Sequence, residues 1–289
     1  VIQKDNSCKV GSSSSQSSSS SSSSCSPRDE ENDEIEEEVE ERLLVMESTG
    51  MHGDSLIRIW DLATGTVHKE TKIDPRFFGE GSTLFVDKKD GAEKIAVLTY
   101  QEGSILVYDS QTLELLETIE EWPSPTATGE GWGIAFDPVS NIFCVTDGSE
   151  YLHFWDTGFR EIPSRPRLPV KIETLVVAMP DGRTDVVIPP PGRTLRNINE
   201  LEWDAATNTL LANMWFEEVV LRIDPTSGVV THVYDFSTLY PRQSRQAAPE
   251  GYHTEDVFNG IAIVPHTDGK EWLVTGKYWP SIYWIRLGD

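Results

Sequence analysis

The residues best suited to acid–base chemistry stand where a carboxylate or carboxamide meets glycine or another polar residue. Gly79-Glu-Gly81, Gly129-Glu-Gly-Trp-Gly133 and Asn199-Glu-Leu-Glu202 put Glu80, Glu130, Asn199 and Glu200 at the small or polar start of an apolar run. Carboxylates that converge on one site raise and separate each other's pKa values, which suits proton transfer. The structural alternative for Glu80 and Glu130 is turn capping between their glycines. Trp132, Trp215 and Trp279 lie in GEGW, NMW and KYWP, beside these segments. They could wall a shallow pocket with polar rims, or pack in the core. Lys277 ends an apolar run where a buried lysine would be costly. It could donate to a developing oxyanion, hold a carboxylate's pKa, or simply be solvated. The six histidines and three cysteines show no metal-ligand spacing, so no metal is assigned. The GEGWG glycines lack the surrounding βαβ pattern of a dinucleotide site, so phosphate binding is not expected.

Some fold must bring these distant segments together. From Leu43 onward the chain consists of short apolar runs separated by Gly, Pro, Asp and Ser, such as Ser55–Trp60, Ile95–Tyr100 and Val219–Ile223. Runs of this length and alternation are strands, and no long amphipathic helix competes with them. A unit of strand, Asp-containing turn and departing strand recurs at Asp61, Asp109, Asp156 and Asp224, and without the Asp in YWIRLGD at the C-terminus. The first three Asp stand 48 and 47 residues apart, and the longer later steps hold insertions near 163–195 and 238–255. Five copies at this spacing predict an all-β, five-bladed β-propeller with four strands per blade.

The glycine- and asparagine-led segments precede these turns by about one half-repeat, where the innermost strand of each blade belongs. They are Gly79–Phe85, Gly129–Ala135, Asn199–Trp203 and Asn259–Ala262; a fifth is expected near residue 31. Their polar starts would then face one end of the central channel, making Glu80, Glu130, Asn199 and Glu200 neighbours. Trp60 and Trp155 lie on the repeating strand and read as packing, and Cys144 in IFCVTD as a buried strand thiol.

Composition narrows the function classes. With 24 Lys+Arg against 48 Asp+Glu in 289 residues, the formal charge is −24, which argues against sequence-independent binding to nucleic acid or anionic membranes. A hydrophobic fraction of 38% with nine Trp supports a sizeable core. No apolar run approaches the ~18 residues needed to cross a bilayer, so no membrane span is expected. Residues 1–42 differ: serine is almost unbroken from Ser12 to Ser26, and ten acidic residues crowd Asp29–Glu41. Such a tract cannot build a core, so 1–42 is expected to be a disordered, low-complexity segment and 43–289 the propeller domain. The chain begins with Val1, so an initiating methionine and any signal peptide would precede it.

Six ordered blocks across almost all of 47–287 resemble the plant and bacterial type of glutaminyl-peptide cyclotransferase, a five-bladed propeller. They include ESTGMHGDS (47–55), DPRFFGEGSTLF (74–85), LTYQEGS (98–104), GEGWGIAFD (129–137), NINELEW (197–203) and LVTGKYWPSIYWI (273–285). The resemblance implies conversion of N-terminal glutamine to pyroglutamate with loss of ammonia, without a cofactor. It makes Glu80 the proton-transfer residue, with Lys277 and Asn199 as further catalytic groups. Trp132 and Trp215 become the substrate pocket, with Glu130, Glu200 and Trp279 beside it. Peptides or proteins with N-terminal glutamine are the expected partners, the protein is expected to be a monomer, and the secretory pathway or cell exterior is the expected location. The chain has no Asn-x-Ser/Thr sequon, so that location rests on the resemblance alone. The family's first block, PHD-x-FTQG on the first inner strand, has no counterpart, and it coincides with the inner strand that the repeats do not supply. A non-catalytic peptide-binding propeller and a metal-dependent propeller lactonase are the competing readings.

Overall fold

Inner strands such as Glu93–Thr99 and Ile142–Val145 are apolar on both sides because neighbouring blades cover both faces, whereas outer strands such as Val67–Lys72 stay largely exposed. The computed structural model describes residues 2–4, 42–173, 175–178, 184–187, 193–246 and 254–288. Blade 1 holds β1 (Ile2–Lys4), β2 (Leu43–Thr49), β3 (Leu56–Asp61) and β4 (Val67–Lys72). Blade 2 holds β5 (Gly79–Val86), β6 (Glu93–Thr99), β7 (Ile105–Asp109) and β8 (Leu115–Ile119). Blade 3 holds β9 (Ile134–Asp137), β10 (Ile142–Val145), β11 (Tyr151–Trp155) and β12 (Leu168–Pro169). Blade 4 combines the hairpin β13 (Leu175–Ala178) and β14 (Thr184–Val187) with β15 (Ile198–Asp204), β16 (Thr209–Met214), β17 (Val219–Ile223) and β18 (Val230–Asp235). A short helix, α1 (Arg242–Gln246), leads to blade 5, formed by β19 (Phe258–Ile263), β20 (Glu271–Gly276) and β21 (Tyr283–Arg286). Among the described residues no helix is long and apolar enough to cross a membrane.

One apolar cluster fills each gap between blades. Met46 and Ile57 meet Ile95 and Val97 between blades 1 and 2; Phe85 and Ala96 meet Phe143 and Trp155 between blades 2 and 3. Cys144 and Phe154 meet Leu201 and Leu210, and Leu211 and Val220 meet Phe258 and Trp272. Val45 meets Ala262, Val264 and Leu273, which joins blade 5 to blade 1 and closes the ring. The protein is a five-bladed β-propeller. Its repeated Asp acts locally, since Asp61 and Asp109 each accept a backbone N–H and a hydroxyl from the Thr three residues on. These bonds shape the turn between the third and fourth strands.

Three expectations need correction. The first inner strand is β1, which pairs with Leu43–Val45, and not a segment near residue 31. Serine and carboxylates offer nothing apolar to a strand covered on both faces. Residues 2–4 therefore belong to the propeller, and the rest of the expected disordered segment, 5–41, lies outside the described residues. Blades are also unequal. The 163–195 insertion supplies β13, which pairs in parallel with β18 and widens blade 4 to six strands, while blade 5 has three among the described residues.

Candidate active site

The inner hairpins of blades 2, 4 and 5 end alike. Gly79 pairs with Thr99, Ile198 with Met214 and Phe258 with Gly276, and the register slips immediately afterwards in all three. Each slip is a bulge, which re-aims side chains at the rim of a sheet. The first bulged residues are Glu80, Asn199 and Asn259. On the partner strand the next residues are Tyr100, Trp215 and Lys277, whose N–H groups bond Phe78, Asn197 and Val257 carbonyls at 2.9, 2.8 and 2.9 Å. Two tiers of equivalent positions from separate blades thus meet at one channel mouth.

Blade 3 fits the same scheme with different residues. Ile134 pairs with Val145 as Ser82 does with Val97, so Trp132 takes the place of Glu80 and Gly148 that of Trp215. Position 148 has φ +74°, and a Cβ there would lie 2.5 Å from the Trp132 ring, so glycine is what lets the indole lie across the mouth. The bulges are also tied between blades. Ser48 Oγ donates to the Glu80 carbonyl (2.9 Å), Gly81 N–H to the Trp132 carbonyl (2.8 Å), and Thr146 Oγ1 to the Asn199 carbonyl (2.7 Å). Asn213 Oδ1 accepts the Gly260 N–H at 3.0 Å.

Within the mouth the Trp132 and Trp215 rings stand 6.1 Å apart at 60°. Lys277 Nζ lies 4.6 Å from the Trp215 ring centre and 5.9 Å from that of Phe78. Glu130 accepts from Trp132 Nε1 and Gln101 Nε2, each at 2.9 Å, and from the Tyr100 hydroxyl. Its loop is held by buried Asp147, which accepts the Thr128 N–H (3.0 Å) and bonds Ser149 and His153. Burial opposes the Asp147 charge, yet those bonds hold its carboxyl well below the usual range.

Burial raises Glu80 to about 7, with help from the charges of Glu255, Glu130 and Glu102, while Lys277 pulls it down. A carboxyl near 7 both accepts and returns a proton at neutral pH. Burial, with Glu202 and Glu80 adding to it, pushes Glu200 up to about 8. Asn199 is 4% exposed and its Nδ2 points to Asn259 Oδ1 at 3.4 Å. By contrast, a cavity of about 560 Å³ lined by Asp87, Lys94 and Phe159 lies at the other end of the strands and holds none of these groups.

A sequence profile described as glutamine cyclotransferase matches residues 38–168 and 181–287. The chain belongs to the glutamine cyclotransferase family. It is similar to a glutaminyl-peptide cyclotransferase of Arabidopsis thaliana, at 29% identity over 243 residues. That match covers 84% of this chain and 63% of the plant protein, so the chain spans less than two thirds of that relative. Among solved structures it is similar in fold to the Myxococcus xanthus glutaminyl cyclase, with TM-score 0.60, 24% identity and 85% of each chain covered.

In this cyclotransferase-family mouth the structure gathers Glu80, Glu130, Trp132, Trp215 and Lys277, with Asn199 and Glu200 on the adjoining inner strand. Trp279 stands apart: its ring packs on Phe258 and Tyr283 of blade 5 at 5.5 and 6.0 Å, and on Tyr240 of the connection before it at 5.3 Å. Glu130 lies in the loop before β9 and not on an inner strand. Sequence reasoning missed Phe78 and Tyr100, and it took Asn259 only as the polar start of an inner strand. The signal for Tyr100 was available, since LTY, NMW and TGK end the second strand of their blades at the same step. Blade 1 contributes no inner-strand side chain to the mouth among the described residues, because β1 pairs only with the far end of β2.

Proposed function

We propose that this chain is a glutaminyl-peptide cyclotransferase, converting the N-terminal glutamine of peptides and proteins to pyroglutamate with release of ammonia. Glu80 carries the reading: a carboxyl near neutrality, beside one lysine, at the edge of a two-tryptophan pocket. The name of the plant relative supports the same chemistry. Because the glutamine α-amine attacks its own side-chain amide carbon, the protein has chiefly to hold the rotamer that brings the two together. The Trp132 and Trp215 rings clasp the side chain, and Glu130 keeps the Trp132 indole in place.

An α-amine of pKa roughly 8 is mostly protonated at neutral pH, so attack needs a base. The ammonium sheds one proton to water before the attack, and Glu80 accepts a second from the attacking nitrogen as the new C–N bond closes the five-membered ring. Lys277 and Asn199 donate to the oxyanion, an effect worth ~3–4 kcal/mol per donor in comparable sites. Glu80 then returns the proton to the departing nitrogen, the original C–N bond breaks, and ammonia leaves with Glu80 again ionised. The test is ammonia release from a short peptide with N-terminal glutamine, at neutral pH. Glu80→Gln should lower kcat by ~10²–10⁴-fold while melting cooperatively; near-normal turnover in that variant would sink the assignment.

A further inference from the structure

The mechanism leaves unused the most buried cation among the described residues. Arg245 lies on α1, in the connection between blades 4 and 5, and is 1% exposed. The Pro241 carbonyl receives the N–H groups of Ser244 and Arg245 at 2.8 and 3.2 Å, which fixes where the side chain starts. Its guanidinium meets three partners. It pairs with Glu218, donates to the Asp256 carbonyl at 3.3 Å beside that residue's carboxylate (3.7 Å), and stands 5.4 Å from the centre of the Trp279 ring.

Every partner is coupled by backbone to a residue of the mouth. Glu218 ends the turn that begins at Trp215, closed by the Glu217 N–H on the Met214 carbonyl at 3.0 Å. Asp256 precedes Val257, whose carbonyl accepts the Lys277 N–H at 2.9 Å. The Trp279 N–H bonds the carbonyl of Gly276, the residue before Lys277, at 3.1 Å. Arg245 therefore sits between the two turns whose tips, Trp215 and Lys277, meet at 4.6 Å.

We propose that Arg245 is a positioning residue, clamping the turns of blades 4 and 5 so that the Lys277 ammonium is held against Trp215 and faces Glu80. The inference rests on the reaction proposed above. It gives α1 a purpose, and it makes Trp279 the cover of a buried guanidinium. Burying a charge is costly unless it is paired, and here the planar fork serves two carboxylate residues in different directions while its face lies on an aromatic ring. A lysine would offer one compact charge and no such fork.

The readout is the titration of Glu80. Facing it are Lys277 of blade 5, Glu255 on the segment leading to β19, Glu130 of blade 3 and Glu102 of blade 2; only Lys277 is positive. Glu200 on β15 and Tyr100 after β6 sense the Glu80 charge as well. If the clamp slackens, the lysine retreats and Glu80 titrates at higher pH. In Arg245→Met, the acid limb of kcat/KM and the Glu80 carboxyl titration followed by ¹³C NMR should both rise by ~0.5–1 pH unit. Lys277→Met should shift them in the same direction, and adding Arg245→Met to it should produce no further shift. A purely structural arginine would lower the melting temperature and the active fraction at every pH without moving either curve. Should the Met variant not fold, Arg245→Lys keeps the charge but not the fork, and the same shift is expected. Curves that coincide with those of the unsubstituted protein, in a folded variant of either kind, overturn the proposal. If the unsubstituted protein releases no ammonia, the proposed reaction fails, and the NMR titration by itself still decides the clamp.

Discussion

Replacing Lys277 by Met separates two roles assigned to one ammonium. Its charge pulls Glu80 down against the burial and neighbouring carboxylates that bring that carboxyl to about 7. At an effective protein dielectric of ~20–40, a nearby opposite charge favours the ionised form of a carboxyl by ~1–2 kcal/mol, about one pKa unit. Without it, Glu80 should titrate near ~8, and its ionised fraction at pH 7 should drop from about one half to about one tenth. Protonation alone then costs ~5-fold in rate at pH 7. Loss of the oxyanion donor costs ~3–4 kcal/mol more, or ~10²–10³-fold. The two losses part company at about pH 9, where Glu80 is ionised in both proteins and only the oxyanion deficit remains. Ammonia release measured across this range should show an acid limb displaced upward by about one unit and a gap that narrows ~5-fold between pH 7 and pH 9. An unmoved limb would refute the idea that Lys277 faces Glu80. A gap that closes entirely at high pH would refute its role as oxyanion donor.

Two further outcomes follow from the same geometry. Glu200, raised to about 8 in the folded state, favours folding while protonated; that contribution fades once pH exceeds the unfolded value near ~4.5 and is lost as pH rises through the folded value. Thermal melts should therefore show falling stability from about pH 5 to about pH 8 in the unsubstituted protein, with a weaker fall in Glu200→Gln; parallel curves would contradict the burial argument. Gly148→Ala forces a Cβ to within 2.5 Å of the Trp132 ring at φ +74°, so the indole must move. KM for a glutaminyl peptide should rise ~10-fold or more with a smaller change in kcat, and an unchanged KM would show that Trp132 does not wall the pocket.

Much of the architecture was legible because its determinants are local. The Asp of each repeat shapes its own turn, with the Thr three residues on at Asp61 and Asp109 and with the Gly158 and Arg160 N–H groups at Asp156, so the spacing of these Asp reports blades directly. Glu80 and Trp132 were visible because glycines flank them and inner strands must begin there. What escaped notice depends on register and on partners distant in the chain. Tyr100 joins the mouth only because three inner hairpins slip at the same rung. Trp279 looked like a pocket residue from its position near Lys277, yet its ring packs within blade 5 and over Arg245. The first inner strand was sought at the repeat distance, but the tract there is mostly serine and carboxylate, with Ile35 and Val39 its few apolar residues, and β1 occurs some forty residues before β2.

By itself the sequence determined a ring of five β-blades and the carboxylate and asparagine that open its inner strands at Glu80 and Asn199, because alternation and turn chemistry act over a few residues. Only the tertiary structure decided what that carboxylate is. Glu80 becomes a neutral-range acid because burial strips its water while Lys277, Glu255, Glu130 and Glu102 arrive from separate segments. Desolvation and Coulomb energy depend on distance in space, and no spacing along the chain encodes that distance.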